Sequence, residues 1–480
     1  MTGTSTPEPA TSATTARRPL VRRAAVLLLI FALALGLRLA WISYANPSPS
    51  DGRFGDEVFY DHAAQTLAAG KGYTGFFNQQ TANWPPGYPL ILAGVYKVVG
   101  HRVIAAKALN AVAGAATCLL VYVVGARVFS RRAGLIAALM MAFFPGQIYF
   151  SSLVLTESVF PAMLMLLVLL SLMWIVERER PSAARLFFLG VLFGAAALTR
   201  NEAAVLIVPA LILLKLVLPS WRRFARQGSF LVVGAVLAVM PWTVRNAIVM
   251  KGFIPICSGA GHTLLAGHQD DPYNPGHVFP ESKYGIQYAY LPFPERETKI
   301  EQAALREALR FIIHHPRDEL LVFPFEKFYH LYRDDSTALD WIRGSWLHIS
   351  QVPWLKGSWL RSLDDVGAPV VTIQPSAEDK LALLANGYYY AVLLAALLGV
   401  AVWLSLRDKK KLLLVLFVAA WTGAHILIIP GSRYHVPIIP ILCLWAALPL
   451  ALAWDRLRPR PNEPAIIVGN GADGTEAKQL

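Results

Sequence analysis

Apolar stretches long enough to cross a lipid bilayer recur along most of this chain, and the gaps between them alternate in charge. The first covers residues 24–41. Others cover 104–127, 133–150, 155–176, 184–198, 203–218 and 229–250, and then 381–406, 412–430 and 436–454. A helix needs about 17–25 residues to span the hydrocarbon core, so the pattern predicts roughly ten transmembrane helices, several of them short. Lipid offers backbone polar groups no partners, and a helix satisfies them internally. The expected class is therefore an all-α polytopic membrane protein. Charged residues make up 16% of the 480, well below the share of about 25% usual in soluble domains.

Every second gap is basic. Arg127, Arg131 and Arg132 occupy one, and Arg178, Arg180 and Arg185 the next. Arg222, Arg223 and Arg226 follow, then Arg407 with Lys409, Lys410 and Lys411, and finally Arg456, Arg458 and Arg460. All fall on the side of Arg17, Arg18, Arg22 and Arg23. The positive-inside rule makes that side cytoplasmic, with both termini on it, in a multi-pass protein of the cell membrane. The net charge of +13 is thereby read as topology, because the basic residues sit at the ends of apolar runs and form no nucleic-acid-binding stripe. The first run resembles a signal peptide, and Ser43-Tyr44-Ala45 fits a cleavage site. Its length, its Arg38 and the spans that follow favour a retained anchor.

Residues 1–19 and 457–480 read as disordered cytoplasmic tails. Between them lie an N-terminal transmembrane catalytic module (20–250, with a first outer loop at 46–102), an extracytoplasmic region (251–380) and C-terminal transmembrane helices (381–456). The apolar stretch 86–100 is short and follows Pro85. Counting it as a span would break the alternation, so it is expected to be an interfacial or re-entrant helix. In the second outer region, Ile300, Ala304, Ala308, Phe311 and Ile312 recur at helical spacing and stop before Pro316. This predicts an amphipathic helix, followed by an aromatic-rich helix over 319–332 kinked at Pro324. The cysteines Cys118, Cys257 and Cys443 are scattered, which suggests neither a disulfide framework nor a zinc site.

The chemistry is expected at the outer boundary. Residues 55–62 place Asp56, Glu57 and Asp61 just after the first span, at the start of a predicted helix closed by Gly70. The plain reading makes Asp56 an N-cap and the other acids a solvated face. Several further charges fall at the same membrane boundary, however. Glu157 begins a span, where it complements the helix dipole or faces a shared cavity. Arg200 and Glu202 share a tight outer turn and either satisfy each other or face a polar site. Arg102, Arg245 and Arg433 end spans, where arginines often snorkel to headgroups. The alternative is that they converge on a lipid phosphate, which the guanidinium fork suits. Lys327 is a further cation for that task. His262, His268, Asp270, Asp271 and His277 offer possible metal ligands at no defined spacing. The chain has no P-loop, nucleophile elbow or His-Glu-x-x-His helix.

The ordered set of motifs resembles the GT-C membrane glycosyltransferases, in particular the dolichyl-phosphate-mannose–protein mannosyltransferase-like group that includes the bacterial aminoarabinose transferases. The matching pieces are Gly55-Asp56-Glu57 with Tyr60, Trp84-Pro85-Pro86-Gly87-Tyr88-Pro89-Leu90, Thr156-Glu157 and Leu198-Thr199-Arg200-Asn201-Glu202. Pro241-Trp242-Thr243-Val244-Arg245-Asn246 and Arg433-Tyr434-His435-Val436-Pro437 complete them, so that most of 20–455 is covered. The resemblance implies a polyprenyl-phosphate-linked sugar donor and transfer on the extracytoplasmic face. It maps the essential loop acid onto Asp56, its neighbour onto Glu57, and the acid before the fourth span onto Glu157.

Candidate donor-phosphate ligands are Arg102, Arg200, Arg245 and Arg433, and candidate positioning residues are Tyr60, Glu202, Tyr434 and Lys327. Polyprenyl phosphate is a good leaving group that needs cations, while the acceptor hydroxyl needs a carboxylate base. In-line attack predicts inversion. The partners expected are the lipid-linked sugar, membrane lipids and an extracytoplasmic acceptor (glycolipid, polysaccharide or protein), with no nucleic acid. No cofactor is implied, and a divalent metal is left open. A transporter or flippase of lipid-linked sugars is the rival. It predicts paired halves and helices broken at mid-membrane, and the sequence shows no internal repeat.

Overall fold

A computed structural model describes residues 12–49, 55–75, 78–178, 180–268, 284–285, 287–343, 375–405, 407–429 and 431–457. Among these residues, a single antiparallel bridge between Thr74 and Gln80 is the one sheet-like feature. The helices begin with α1 (Ser12–Tyr44), α2 (Asp56–Ala68), α3 (Gly87–Val99) and α4 (Val103–Val128). Next come α5 (Arg131–Ala142), α6 (Pro145–Tyr149), α7 (Val159–Ser171), α8 (Ala183–Thr199), α9 (Ile207–Val217) and α10 (Trp221–Val249). The region after α10 holds α11 (Ala260–Gly267), α12 (Phe293–His314), α13 (Phe323–Tyr332) and α14 (Thr337–Arg343). α15 (Pro375–Trp403), α16 (Lys409–Leu427) and α17 (Ile439–Leu457) follow.

Seven of the described helices are long and apolar enough to cross a membrane, or eight if α5 and α6 act together as one bent span. The expectation of roughly ten is not confirmed by this count, which leaves out the shorter apolar helices α3 and α8. Two local features account for the difference. α5 ends at Phe143, and Pro145 starts α6 in a direction 56° away. α8 has 17 residues, about 26 Å at 1.5 Å per residue, against a hydrocarbon core of about 30 Å. Beyond Arg200 the chain makes a 3-10 turn over Asn201–Leu206, which leaves 11 residues for α9. α3, at 13 residues, is likewise too short to cross alone.

The bundle packs around a continuous apolar core that includes Phe160, Phe193, Phe417, Trp421 and Trp445. α8 and α10 touch through Gly190, Gly194 and Gly234, where an added Cβ would run into facing backbone. Small residues of this kind let helices approach closely in lipid. A second, aromatic core joins α2, α3 and α14 to the bundle and includes Phe59, Tyr60, Tyr73, Tyr88 and Tyr96.

The two ends of the bundle differ in charge chemistry. At one end Arg127 and Lys410 both hold Glu177, at 2.8 and 3.2 Å, and Arg132 pairs with Asp455. Three of the basic gaps therefore meet in space. The other end of α4 lies about 39 Å away along the helix, beside α2 and α3. α2 begins at Asp56 with Gly55 as its N-cap, so Asp56 is the first helical residue and not the cap. Gly70, at φ +71°, lies in the left-handed region that commonly ends helices. α12 buries Ile300, Ala304 and Ala308 as the periodicity predicted. Where the kink was expected, a π turn over Asp318–Val322 leads into α13, and Pro324 falls in the first turn of that helix, where its missing N–H costs nothing.

Candidate active site

A cavity of about 210 Å³ opens at the end of the bundle opposite the Arg127–Glu177–Lys410 cluster. Asp56 points into it from the first turn of α2. Its Oδ1 accepts from Trp84 Nε1 at 3.1 Å, and its Oδ2 meets Arg433 Nη2 at 2.7 Å. Trp84 is itself fixed by stacking on Phe59, with ring centroids 4.0 Å apart. Arg433 lies over the Trp341 and Tyr434 rings, at 5.0 and 5.1 Å. Its Nη1 is buried and has no hydrogen-bond partner among the described residues. Tyr434 is held in turn: Trp421 Nε1 donates to its carbonyl at 2.7 Å, and its ring stacks on His425.

Across the cavity, Glu157 and Arg200 form a buried pair. Arg200 Nη1 donates to Glu157 Oε1 and to Thr156 Oγ1, each at 3.1 Å, and Thr156 Oγ1 donates to Glu157 Oε2 at 3.2 Å. The guanidinium lies over Phe160, Trp421 and Tyr434 at 5.6–5.8 Å. Aromatic faces of this kind stabilise a desolvated cation. Arg200 Nε has no hydrogen-bond partner among the described residues, with Glu202 Oε2 at 4.0 Å. The position of Arg200 depends on a close approach at Gly87. A Cβ there would come within 2.5 Å of Thr199 Oγ1 and 2.7 Å of the Leu198 carbonyl. Tyr60 completes the floor. Burial, and then the Asp56 and Glu157 carboxylates, hold its phenol well above the ordinary value, so it stays a neutral hydrogen-bond donor.

Of the residues singled out from sequence, Asp56, Tyr60, Glu157, Arg200, Glu202, Arg433 and Tyr434 line this one cavity. Four others lie elsewhere. Glu57 is buried, and its Oε1 accepts from Val154 N at 2.6 Å, bracing the turn that leads into Glu157. Arg102 is exposed at the start of α4. Lys327 is buried beside His268 Nε2 at 3.1 Å, and His268 Nδ1 meets Glu319 at 2.7 Å. Burial pushes the Lys327 ammonium down to about 8.

Arg245 directs its guanidinium to the first loop. It donates to the carbonyls of Thr81 and Tyr73 at 2.7 and 3.1 Å, and to Gln80 Oε1 at 2.6 Å. Arg245→Ala is expected to destabilise the protein by about 2–3 kcal/mol, because it strands several acceptors of a charged donor. Thermal unfolding in detergent measures this. A loss of donor affinity at unchanged stability would return Arg245 to the phosphate site.

Sequence reasoning missed the wall formed by Asn83, Cys257, Gly259 and Thr263, all of which line the cavity. Their residue types are ordinary, and no motif marks them. His262 lines the cavity too, but as a wall residue, while His268 is engaged with Glu319. Asp270, Asp271 and His277 lie outside the described residues. Among the described residues, no three His, Cys, Asp or Glu side chains come together as a metal-binding group. Asp56 and Glu157 direct their oxygens to Trp84, Arg433, Arg200 and Thr156. This donor set fits an ion-paired anion site and does not form a divalent-cation cradle.

Residues 83–244 match the dolichyl-phosphate-mannose-protein mannosyltransferase family. The matched segment contains Trp84, Glu157 and Arg200, while Asp56 and Arg433 lie outside it. The chain is similar in structure to the Archaeoglobus fulgidus oligosaccharyltransferase in complex with Zn and sulfate, with 14% sequence identity and a TM-score of 0.50. That match covers 90% of this chain and 49% of the other. The chain has the GT-C fold, with a mannosyltransferase-like segment at its centre. The apo form of the same oligosaccharyltransferase gives 15% identity, 90% and 50% coverage, and a TM-score of 0.50. This GT-C chain thus spans about half the length of those structures. ArnT from Cupriavidus metallidurans bound to undecaprenyl phosphate is matched at 15% identity over 92% of this chain and 80% of that one, with a TM-score of 0.38. No curated protein matches the sequence.

Proposed function

We propose that this protein is an integral-membrane glycosyltransferase that moves a sugar from a polyprenyl-phosphate donor to an extracytoplasmic hydroxyl acceptor. The reading rests on one observation above all. A single cavity is lined by Asp56, Arg433 and Arg200, and in each guanidinium one buried nitrogen, Arg433 Nη1 and Arg200 Nε, has no hydrogen-bond partner among the described residues. A buried donor without a partner is costly, and a phosphate that accepts from both relieves that cost. The family matched by residues 83–244 supports the choice of a lipid-phosphate-linked donor. The basic gaps at the opposite end support placing the cavity outside the cytoplasm.

In the proposed reaction, the acceptor oxygen attacks the anomeric carbon as Asp56 takes the hydroxyl proton. The bond from the anomeric carbon to the phosphate oxygen breaks, and its electron pair stays on the phosphate. Arg433 and Arg200 stabilise that charge better in the transition state than in the ground state, which is what accelerates the step. Attack opposite the leaving phosphate inverts the anomeric centre. Arg433 is shared between Asp56 and the phosphate, so one side chain sets the distance between base and leaving group. Glu157, with Thr156, holds Arg200 in place, and Glu202, Tyr60 and Tyr434 shape the floor around the sugar.

The test is direct. Purified protein in detergent is supplied with radiolabelled polyprenyl-phosphate sugars and an envelope fraction as acceptor source. Release of polyprenyl phosphate together with label in a new product is expected. Absence of both with every sugar supplied would leave the transporter reading, since a flippase makes no product.

A further inference from the structure

One wall of the cavity is built from two loops that a single helix fastens together. Glu297 and Glu301 stand one turn apart on α12. Glu297 Oε2 accepts from Thr81 Oγ1 at 2.7 Å, and its Oε1 accepts from Ala82 N at 2.9 Å and from Ser258 Oγ at 2.5 Å. Glu301 accepts from Gly261 N, and from His262 N at 3.3 Å. Between these anchors Ser258 N donates to the Ala82 carbonyl at 2.8 Å. Gly259 sits so close to Asn83 that a Cβ would lie 3.0 Å from its carbonyl. The loops continue into the cavity as Asn83, Trp84, His262 and Thr263. This wall carries amide, hydroxyl, imidazole and indole groups, whereas the two cations belong to the turns at Arg200 and Arg433.

We infer that this wall is the acceptor subsite, that it takes a neutral, hydroxyl-rich acceptor, and that Glu297 and Glu301 are positioning residues that hold it against the donor side. The inference rests on the glycosyltransferase reading for the word acceptor. The fastening itself does not. Hydrogen-bonding groups beside an aromatic ring suit a sugar or polyol, and among the described residues this wall carries no lysine or arginine to pair with an acidic acceptor.

The fastening is also sensitive to pH. Burial pushes the Glu301 carboxyl up to about 7, against the lowering effect of the Gly261 and His262 backbone donors. The His262 ring on α11 lowers it too, and Glu297 on α12 raises it, while Cys257 on the preceding loop feels both acids. Detaching the wall returns the carboxyl to water, where about 4.3 is usual. The proton therefore stabilises the closed wall. That stabilisation is complete below about 4.3, declines as pH rises, and is lost above about 7.

Cys257 lines the same wall half-buried, and desolvation with the nearby acids raises its thiol to about 12, so little thiolate forms while the wall is closed. The full-length protein in detergent is labelled with a water-soluble maleimide, and Cys257→Ser identifies the site. Glu301→Ala is expected to label roughly tenfold faster than wild type at pH 6, and Glu301→Gln, which keeps an acceptor oxygen, is expected to restore protection. The ratio of wild type to Glu301→Gln rises about fortyfold between pH 5 and 7 and levels above about pH 8. Equal rates in all three proteins overturn the fastening.

Methyl glucoside at saturation slows wild-type labelling more than glucuronate does. Labelling unaffected by either, or slowed more by glucuronate, overturns the acceptor class. In the transfer assay Glu301→Ala raises acceptor KM and leaves donor KM unchanged. A missing product together with the expected labelling defeats only the glycosyltransferase reading.

Discussion

Asp56→Asn is expected to lower kcat by about 10²–10⁴-fold, the usual contribution of a positioned general base, with the protein still folded. Asparagine has the shape of aspartate, and its carbonyl oxygen can still accept from Trp84 Nε1. The Asp56–Arg433 pair is mostly buried, its side chains being 19% and 17% exposed, so losing it costs more than losing a surface pair, and the Trp341 and Tyr434 rings over which Arg433 lies offset part of that cost. Removing a negative charge beside the donor phosphate also frees Arg433 for that phosphate. Donor KM should therefore stay level or fall while kcat collapses, the pattern of an interaction made only in the transition state. If Asp56 only anchored Arg433, the variant would instead raise donor KM and spare kcat. Initial rates at varied donor concentration, with a melting curve as the control for folding, separate the two. Near-wild-type kcat in a folded variant removes Asp56 as the base.

Much of this arrangement was legible in the chain, and the parts that were not share a physical cause. Apolar length and the alternation of basic gaps carry the class of fold, because lipid leaves few other solutions. The same signal does not fix the number of spans. Hydropathy does not register the bend at Phe143–Pro145 or the break at Arg200-Asn201. Asp56 drew attention as one of several charges at a membrane boundary, but its helix is capped by Gly55, so its aim comes from Trp84 and Arg433. Arg200, Arg245 and Arg433 look alike in sequence, each ending or beginning an apolar run. What distinguishes them is where the first loop folds. It brings the carbonyls of Tyr73 and Thr81 to Arg245, while Arg200 and Arg433 line the cavity and each keep one buried nitrogen without a hydrogen-bond partner among the described residues. Glu297 and Glu301 carry no signal in the sequence, because their partners are mostly backbone donors some 40 or 200 residues away, in loops without motifs.

The second large effect belongs to Arg200, and it divides into stability and catalysis according to the replacement. Arg200→Ala leaves Glu157, whose side chain is 2% exposed, without its cation. Breaking a buried pair in this way costs about 3–5 kcal/mol, so a large fall in melting temperature is expected, with little folded enzyme left to assay. The companion change Glu157→Gln in the same chain removes the stranded charge and should recover much of that loss. Recovery of stability without recovery of transfer then marks the cation as needed for the reaction itself.

Arg200→Lys sharpens the point. An ammonium can still pair with Glu157 and lie over the Phe160, Trp421 and Tyr434 rings. It cannot bind Thr156 and Glu157 on one side while offering a second nitrogen to the cavity, because it lacks the planar fork. Melting is expected to change little and donor KM to rise about tenfold, the equivalent of one charge-assisted hydrogen bond of about 1.4 kcal/mol. Wild-type donor KM in Arg200→Lys would show that the free Nε takes no part in holding the phosphate. Arg433 would then be left as the cation facing the leaving group, and Arg433→Lys would be expected to carry the whole loss.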